Sequence, residues 1–376
     1  MLNAMSASTA FSPVKTLMTS LDYLHRPARL RVLLRTAGQR FNPPRPPEIY
    51  EPAVTRRQDG LLASGAAQPH ERATLHRIFR RGPNPTIVLG GFVPDSTESV
   101  YLIKDLLLRH GSVYCVNYPR TGFNAELLFA QLDDLVDEIA QYHHRVPTFF
   151  SVSYGCGLVF EWLRRRRLAG GERSIGGLVF VSPVVCTDDL LPRGAKKAST
   201  LLGRAIAPFM AGDAPPDERA IEKARALFAK MFEAGAQNRE ALKSVMNADE
   251  AIELRDRVLG TIRSITQGGA CERVRSLQSM SSPIDYFNPA TLPLSGAPTL
   301  ILYAEKEDSV LDPGSPTRFV LESAHQAYFP RSRCAVVSNP KGAAVQHASL
   351  IFHHENFRPA LHAFYGRIRT GQLSAA

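Results

Sequence analysis

Residues 148–157 read TFFSVSYGCG: an apolar, β-prone run that ends on a serine, with glycines two and four positions later. This order predicts a buried strand, a sharp turn and a helix in ten residues. Ser153 then stands at the apex of the turn, exposed by the geometry instead of buried in either element. The first N–H groups of the helix lie beneath it, unpaired within the helix and facing any nearby negative charge. A serine hydroxyl is a weak nucleophile alone and needs a base within reach. The search for function therefore becomes a search for that base.

The flanking sequence has a regular rhythm. Glu71–Arg80 alternates in part and is expected to be an outer strand, and Thr86–Leu89 is a short apolar strand closed by Gly90 and Gly91. Ser99–His110 has a helical pattern, Ser112–Val116 is a strand, and Ala125–Tyr142 is a long amphipathic helix. Thr148–Val152 and Ile175–Val181 are further strands, with Tyr154–Leu168 as the helix between them. Strands apolar on both faces and separated by helices belong to a mainly parallel sheet covered on both sides, an α/β fold. The rhythm stops for about a hundred residues, where 194–209, 217–234 and 237–266 read as helices. It resumes at Pro298–Tyr303, with a helix near Pro316–Ala327, a strand at Cys334–Val337 and a last helix over Phe357–Ile368. Residues 1–70 stand apart. A kinked helix is expected over Leu17–Leu34, and the proline-rich NPPRPPEIYEP (42–52) forms an extended arm.

Composition narrows the class. The chain has 376 residues, 44% hydrophobic and 21% charged, which is ordinary for a globular protein with a large core. Its formal charge of +10 is spread along the sequence and follows no nucleic-acid-binding motif, so no nucleic-acid partner is expected. The densest basic run, Arg164–Arg167, closes a helix, where positive charge suits the dipole, and reads as a solvated helix end. Five scattered cysteines argue against a disulfide framework or close-spaced zinc ligands and favour a reducing, cytoplasmic compartment. Cys115 and Cys156 read as packed small hydrophobes. No apolar run is long enough for a transmembrane segment, and no signal peptide is read at the N-terminus.

Ligands of such sheets bind beyond the C-terminal strand ends. Gly90–Phe92, Ser153, Asp308 and His347 all follow strands. At this point the chain resembles the α/β-hydrolase superfamily across about residues 75–370. The nucleophile elbow of that superfamily, G-x-S-x-G, is met here as Ser151-Val152-Ser153-Tyr154-Gly155, with serine in place of the first glycine. The order nucleophile, acid, histidine is also met. After PTLILYA (298–304) comes EKEDSVLDP, where Asp308 fits the acid's place best and Glu305, Glu307 and Asp312 are local alternatives. After CAVVSNP comes GAAVQHASL, where His347 fits the late histidine, with His353 and His354 as weaker candidates. Gly90-Gly91 stand where many members carry His-Gly, so the backbone N–H groups of Phe92 and Tyr154 become the expected oxyanion donors. Gly90, Gly91, Ser151 and Gly155 support the turns.

The resemblance implies an α/β-hydrolase core over 71–186 and 287–376 with a helical cap inserted at 187–286. It implies a serine hydrolase of the esterase, lipase or thioesterase kind, cleaving an ester or thioester through an acyl-enzyme. An acyltransferase using the same triad, or a non-catalytic binding protein on this fold, are the alternatives. The chemistry requires no metal or organic cofactor. Leu201, Leu202, Ile206, Phe209, Leu227 and Phe232 of the cap are candidates to contact a hydrophobic acyl substrate, and an amphipathic cap face could rest on a membrane surface.

Overall fold

A computed structural model describes residues 32, 34–37, 46–171, 175–195, 197–210, 216–235, 242–243, 245–285 and 287–369. The helix expected over Leu17–Leu34 lies mostly outside them. The sheet is built from apolar runs that bury alternate residues on opposite faces. β1 is Glu48–Ile49, β2 Thr74–Ile78, β3 Thr86–Leu89, β4 Val113–Asn117, β5 Thr148–Val152, β6 Gly177–Val181, β7 Thr299–Ala304 and β8 Ser332–Val337. Their spatial order is β1-β2-β4-β3-β5-β6-β7-β8. The β1–β2 and β2–β4 pairings are antiparallel and the others parallel. An eight-stranded, mostly parallel sheet covered on both faces is thus the architecture.

Ile87, Leu89, Phe149, Leu178, Phe180, Ile301 and Tyr303 fill one core layer, and Val88, Phe150, Val152, Val179, Val181, Leu300 and Leu302 fill the other. That period-two division explains why the central strands read as unbroken apolar runs. The first layer is closed by α4 (Ala125–His143), α5 (Tyr154–Leu168) and α10 (Pro316–Tyr328). The second is closed by α3 (Lys104–Leu108) and α11 (His354–Arg369). The helical stretch expected over Ser99–His110 is divided between a short turn, α2 (Ser96–Ser99), and α3.

Among the described residues four inserted helices follow β6: α6 (Leu201–Met210), α7 (Glu218–Gly235), α8 (Ala248–Ser264) and α9 (Gln267–Gln278). Leu254, Val258, Leu259 and Ile262 of α8 pack with Ile351 and Phe352, so the insertion rests on the loop that follows β8. Among the described residues no helix is long and apolar enough to cross a membrane.

The segment before the core differs from the reading of 1–70 as an appendage. Residues 46–49 of the proline-rich stretch lead into β1, which pairs with β2, and α1 (Arg56–Ala63) docks on α4. The fully buried Asp134 of α4 accepts from the backbone N–H groups of Arg57 and Gln58 at 3.1 and 3.2 Å and pairs with the Arg57 guanidinium. Glu138 accepts from Val54 N–H at 3.0 Å and from the Tyr50 hydroxyl. These partners sit some 80 positions away in sequence and leave no local signal. The Arg164–Arg167 run is likewise more engaged than a solvated end: Arg164 and Arg165 both bond Glu161, and the Arg166 guanidinium lies 4.4 Å from the Trp162 ring centroid. All five cysteines are free.

Candidate active site

Ser153 is held at φ 51°, ψ −117° between β5 and α5. Left-handed φ is uncommon for a non-glycine residue and costs of order 1–3 kcal/mol. Among the described residues four non-glycine positions have positive φ, and three of them, Ser153, Ser182 and Ala348, meet at this site. The elbow packs against the end of β3. A Cβ on Gly155 would stand 2.5 Å from the Gly90 carbonyl oxygen and 2.8 Å from that of Leu89. Glycine is required there because backbone atoms on the far side cannot yield. Ser151, the other elbow position, pairs with Leu89 and Phe180, and its hydroxyl lies buried 3.4 Å from the Val179 carbonyl. A hydroxymethyl group therefore fits where the motif has glycine.

His347 comes to Ser153 from the loop after β8. Its Nε2 lies 2.8 Å from Ser153 Oγ, and its Nδ1 bonds Glu307 Oε2. An ionised carboxylate only accepts, so Nδ1 carries the proton and Nε2 is left to accept from the serine hydroxyl. The side chains of His347 and Glu307 are 7% and 1% exposed, which holds the pair away from bulk water.

The carboxylate beside His347 is one of the local alternatives and not the residue the sequence reading favoured. Asp308, the residue expected to face the histidine, is exposed, and Glu307 takes its place. The backbone turns after β7, so adjacent side chains point to opposite sides. Glu307 is turned inward by three bonds: Ala304 N–H donates to Oε1 at 2.6 Å, Ser182 Oγ–H donates to Oε1 at 2.8 Å, and His347 holds Oε2. The longer glutamate side chain reaches the imidazole from this position. Glu305 is used differently, accepting from Asn339 N–H at 3.2 Å and Val345 N–H at 3.0 Å, so it fixes the histidine-bearing loop. Asp312 accepts from Ser199 Oγ–H and Gly314 N–H. His353 bonds Ser349 and Ala343, and His354 bonds the Ile351 carbonyl. These side chains are engaged away from Ser153.

Ser182 was not singled out in the sequence. It follows β6 with φ 47°, donates to Glu307 and accepts from Ala348 N–H at 3.0 Å. One hydroxyl thus ties Glu307 to Ala348, the residue after His347. Its only sequence trace is a serine directly after the apolar VFV.

The backbone at Gly91–Phe92 lies beside the elbow: a Cβ on Gly91 would be 3.4 Å from Ser153 Cβ. The Phe92 and Tyr154 rings stack at 4.3 Å with a 13° interplanar angle. Tyr154 opens α5, so its N–H is one of the helix's four initial donors. The buried Arg273 of α9 reaches across to donate to the Phe92 carbonyl at 2.6 Å and to those of Pro119 and Tyr118 at 2.9 and 3.4 Å. Burial pushes its pKa down from the usual arginine value. No sequence pattern marks this residue.

A cavity of about 160 Å³ opens on Ser153 and His347. Leu201, Leu202 and Phe232 line it, as do Val258 and Ile262. Ile206 and Phe209 line a neighbouring compartment, whereas Leu227 packs against the main core.

No family model matches the chain, and no curated protein matches it. Solved structures do. A thermophilic esterase from Thermogutta terrifontis is similar with a TM-score of 0.52 and 14% identity, over 79% of this chain and 94% of that one. A putative aryl esterase from Burkholderia cenocepacia is similar with a TM-score of 0.51 and 16% identity, over 79% and 96%. An epoxide hydrolase from Bacillus megaterium is similar with a TM-score of 0.52 and 12% identity, over 78% and 97%. The chain has the α/β-hydrolase fold.

Proposed function

We propose that this protein is a serine hydrolase that cleaves a carboxylic ester or thioester through an acyl-enzyme, with Ser153 as nucleophile, His347 as base and Glu307 as acid. The observation that carries this reading is the single imidazole hydrogen-bonded to Ser153 on one nitrogen and to a buried glutamate on the other. His347 takes the hydroxyl proton as Oγ attacks the carbonyl carbon, and Glu307 keeps the ring oriented and stabilises the imidazolium that forms. The negative charge that develops on the carbonyl oxygen is held by the N–H groups of Phe92 and Tyr154. His347 returns the proton to the leaving group. It then activates water to release the acid and restore Ser153. The largely apolar lining of the cavity supports an acyl substrate with a hydrophobic chain.

A fluorophosphonate probe is expected to label Ser153 covalently. Ser153→Ala is expected to abolish labelling and to lower kcat on p-nitrophenyl esters by about 10³-fold or more. Full hydrolysis by a folded Ser153→Ala protein would refute the assignment.

A further inference from the structure

The two N–H groups assigned to the oxyanion sit on segments of unlike stiffness. That of Tyr154 opens α5, where the helix fixes its direction. That of Phe92 follows Gly90-Gly91, and two glycines in a row give a chain unusual backbone freedom. A donor serves an oxyanion only where its direction is set in advance. The stiffness of this loop has to come from its neighbours.

The Gly91–Phe92 peptide is clamped on both sides. Before it, the Gly90 carbonyl accepts from the Tyr118 hydroxyl at 3.0 Å. After it, the Phe92 carbonyl accepts from Arg273 Nη1 at 2.6 Å. The two clamps share a base, because Arg273 Nη2 donates to the Pro119 carbonyl at 2.9 Å and to that of Tyr118 at 3.4 Å. One guanidinium thus joins the loop after β3 to the loop after β4. Its planar fork of donors suits that task, where a lysine offers a single nitrogen. Arg273 is 2% exposed. Burying a cation among carbonyls is costly, and an apolar side chain would join cap to core without that cost.

The same helix reaches the other donor residue. Ser276 of α9 spends its hydroxyl proton on the Arg273 carbonyl, so the Tyr154 hydroxyl donates to Ser276 Oγ. The stacked Phe92 and Tyr154 rings link the two. Among the described residues, the cap side chains lining the cavity at Ser153 come from α6, α7 and α8 and not from α9. Any effect of α9 on turnover therefore passes through the loop it holds and not through contact with substrate.

We propose that Arg273 and Tyr118 are positioning residues that hold the Gly91–Phe92 peptide so that its N–H points at the substrate's carbonyl oxygen. This rests on the serine-hydrolase reading. The cap is then part of the catalytic geometry as well as a cover over it.

The test compares wild-type protein with Arg273→Met and Tyr118→Phe. Each is assayed on a p-nitrophenyl ester and titrated with an alkyl trifluoromethyl ketone. Ser153 Oγ adds to the ketone carbon, its proton passes to His347, and the ketone oxygen becomes the oxyanion. The matching trifluoromethyl alcohol has no carbonyl to attack and reports ground-state binding. Arg273→Met is expected to lower kcat about 10²-fold and Tyr118→Phe about tenfold, with KM within about threefold of wild type. Ketone affinity should fall by the same factors as kcat and alcohol affinity should hold within about threefold, because only an interaction of the transition state is lost. Should Arg273→Met fail to fold, as circular dichroism would show, Tyr118→Phe decides by the same readouts. Equal loss of ketone and alcohol affinity, or unchanged kcat in the folded variants of an active enzyme, would overturn the positioning role alone. Wild-type protein that cleaves no ester and forms no ketone adduct would refute the serine-hydrolase reading, and the positioning role with it.

Discussion

Glu307 and Asp308 are neighbours with the same charge, and only one faces His347. Glu307→Gln removes the ionised acceptor that orients the ring and stabilises its charged form. It is expected to lower kcat about 10³- to 10⁴-fold. Asp308→Asn changes an exposed side chain and is expected to leave kcat within about twofold; steady-state kinetics on one p-nitrophenyl ester separates the two. Ser182→Ala removes one charge-assisted bond to Glu307 and the acceptor of Ala348 N–H. A loss of about tenfold in kcat, with KM little changed, is expected, because the bond positions the acid and not the substrate. Ser153 was legible in its local frame, an apolar strand followed by spaced glycines, whereas His347 was reached through the α/β-hydrolase resemblance, which expects a histidine between a late strand and the last helix. Glu307 was singled out by neither. EKED presents four charged residues in a row, and which of them turns inward depends on a backbone bend and on Ser182, a residue 125 positions earlier.

At the level of elements, the elbow and the cap attachment carry the constraints. Gly155 lets α5 start against the end of β3, and Gly155→Ala forces a methyl group onto two carbonyl oxygens. Thermal unfolding should show a destabilisation of about 1–3 kcal/mol. The cap is tied to the core partly through Glu98 of α2, which accepts from Thr261 Oγ–H of α8 at 2.9 Å and from Asp95 N–H at 3.0 Å. Burial, aided by nearby Asp95, raises the Glu98 pKa above its ordinary 4.5. The folded state then holds this proton more tightly than the unfolded chain, so its contribution is fully present below pH 4.5 and is lost as pH rises through the raised value. Glu98→Gln keeps an acceptor without the charge. It is expected to raise Tm at pH 7 relative to wild type and to show little gain at pH 4, in paired melting curves. The helical character of 201–210, 218–235 and 248–264 and the interruption of the sheet rhythm there were readable from amphipathic periodicity. Where those helices rest, against Ile351 and Phe352 beside His347, was not, because both surfaces are apolar and apolar packing is not directional.

For the whole molecule, residues 46–63 belong to the fold. Removing residues 1–63 would strip Asp134 of its Arg57 and Gln58 partners and expose the outer edge of β2. A buried carboxylate left without compensation costs about 3–5 kcal/mol, so the truncated protein should show a lower denaturant midpoint and a reduced soluble yield. Wild-type stability after this deletion would show that the arm is the appendage its composition suggests. The sequence by itself determined the layered α/β architecture, the turn that carries Ser153 and the presence of an inserted helical block, while His347 was singled out by the family resemblance. The first three are written in short-range patterns: apolar strand runs, turn glycines and helical amphipathicity. The tertiary structure alone decided that Glu307, and not Asp308, bonds His347, that Ser182 bonds Glu307, that Arg273 reaches the Phe92 carbonyl and that residues 46–63 pack on α4. Those choices depend on hydrogen bonds between segments tens to hundreds of residues apart, whose partners are set only when the sheet brings the loop ends together.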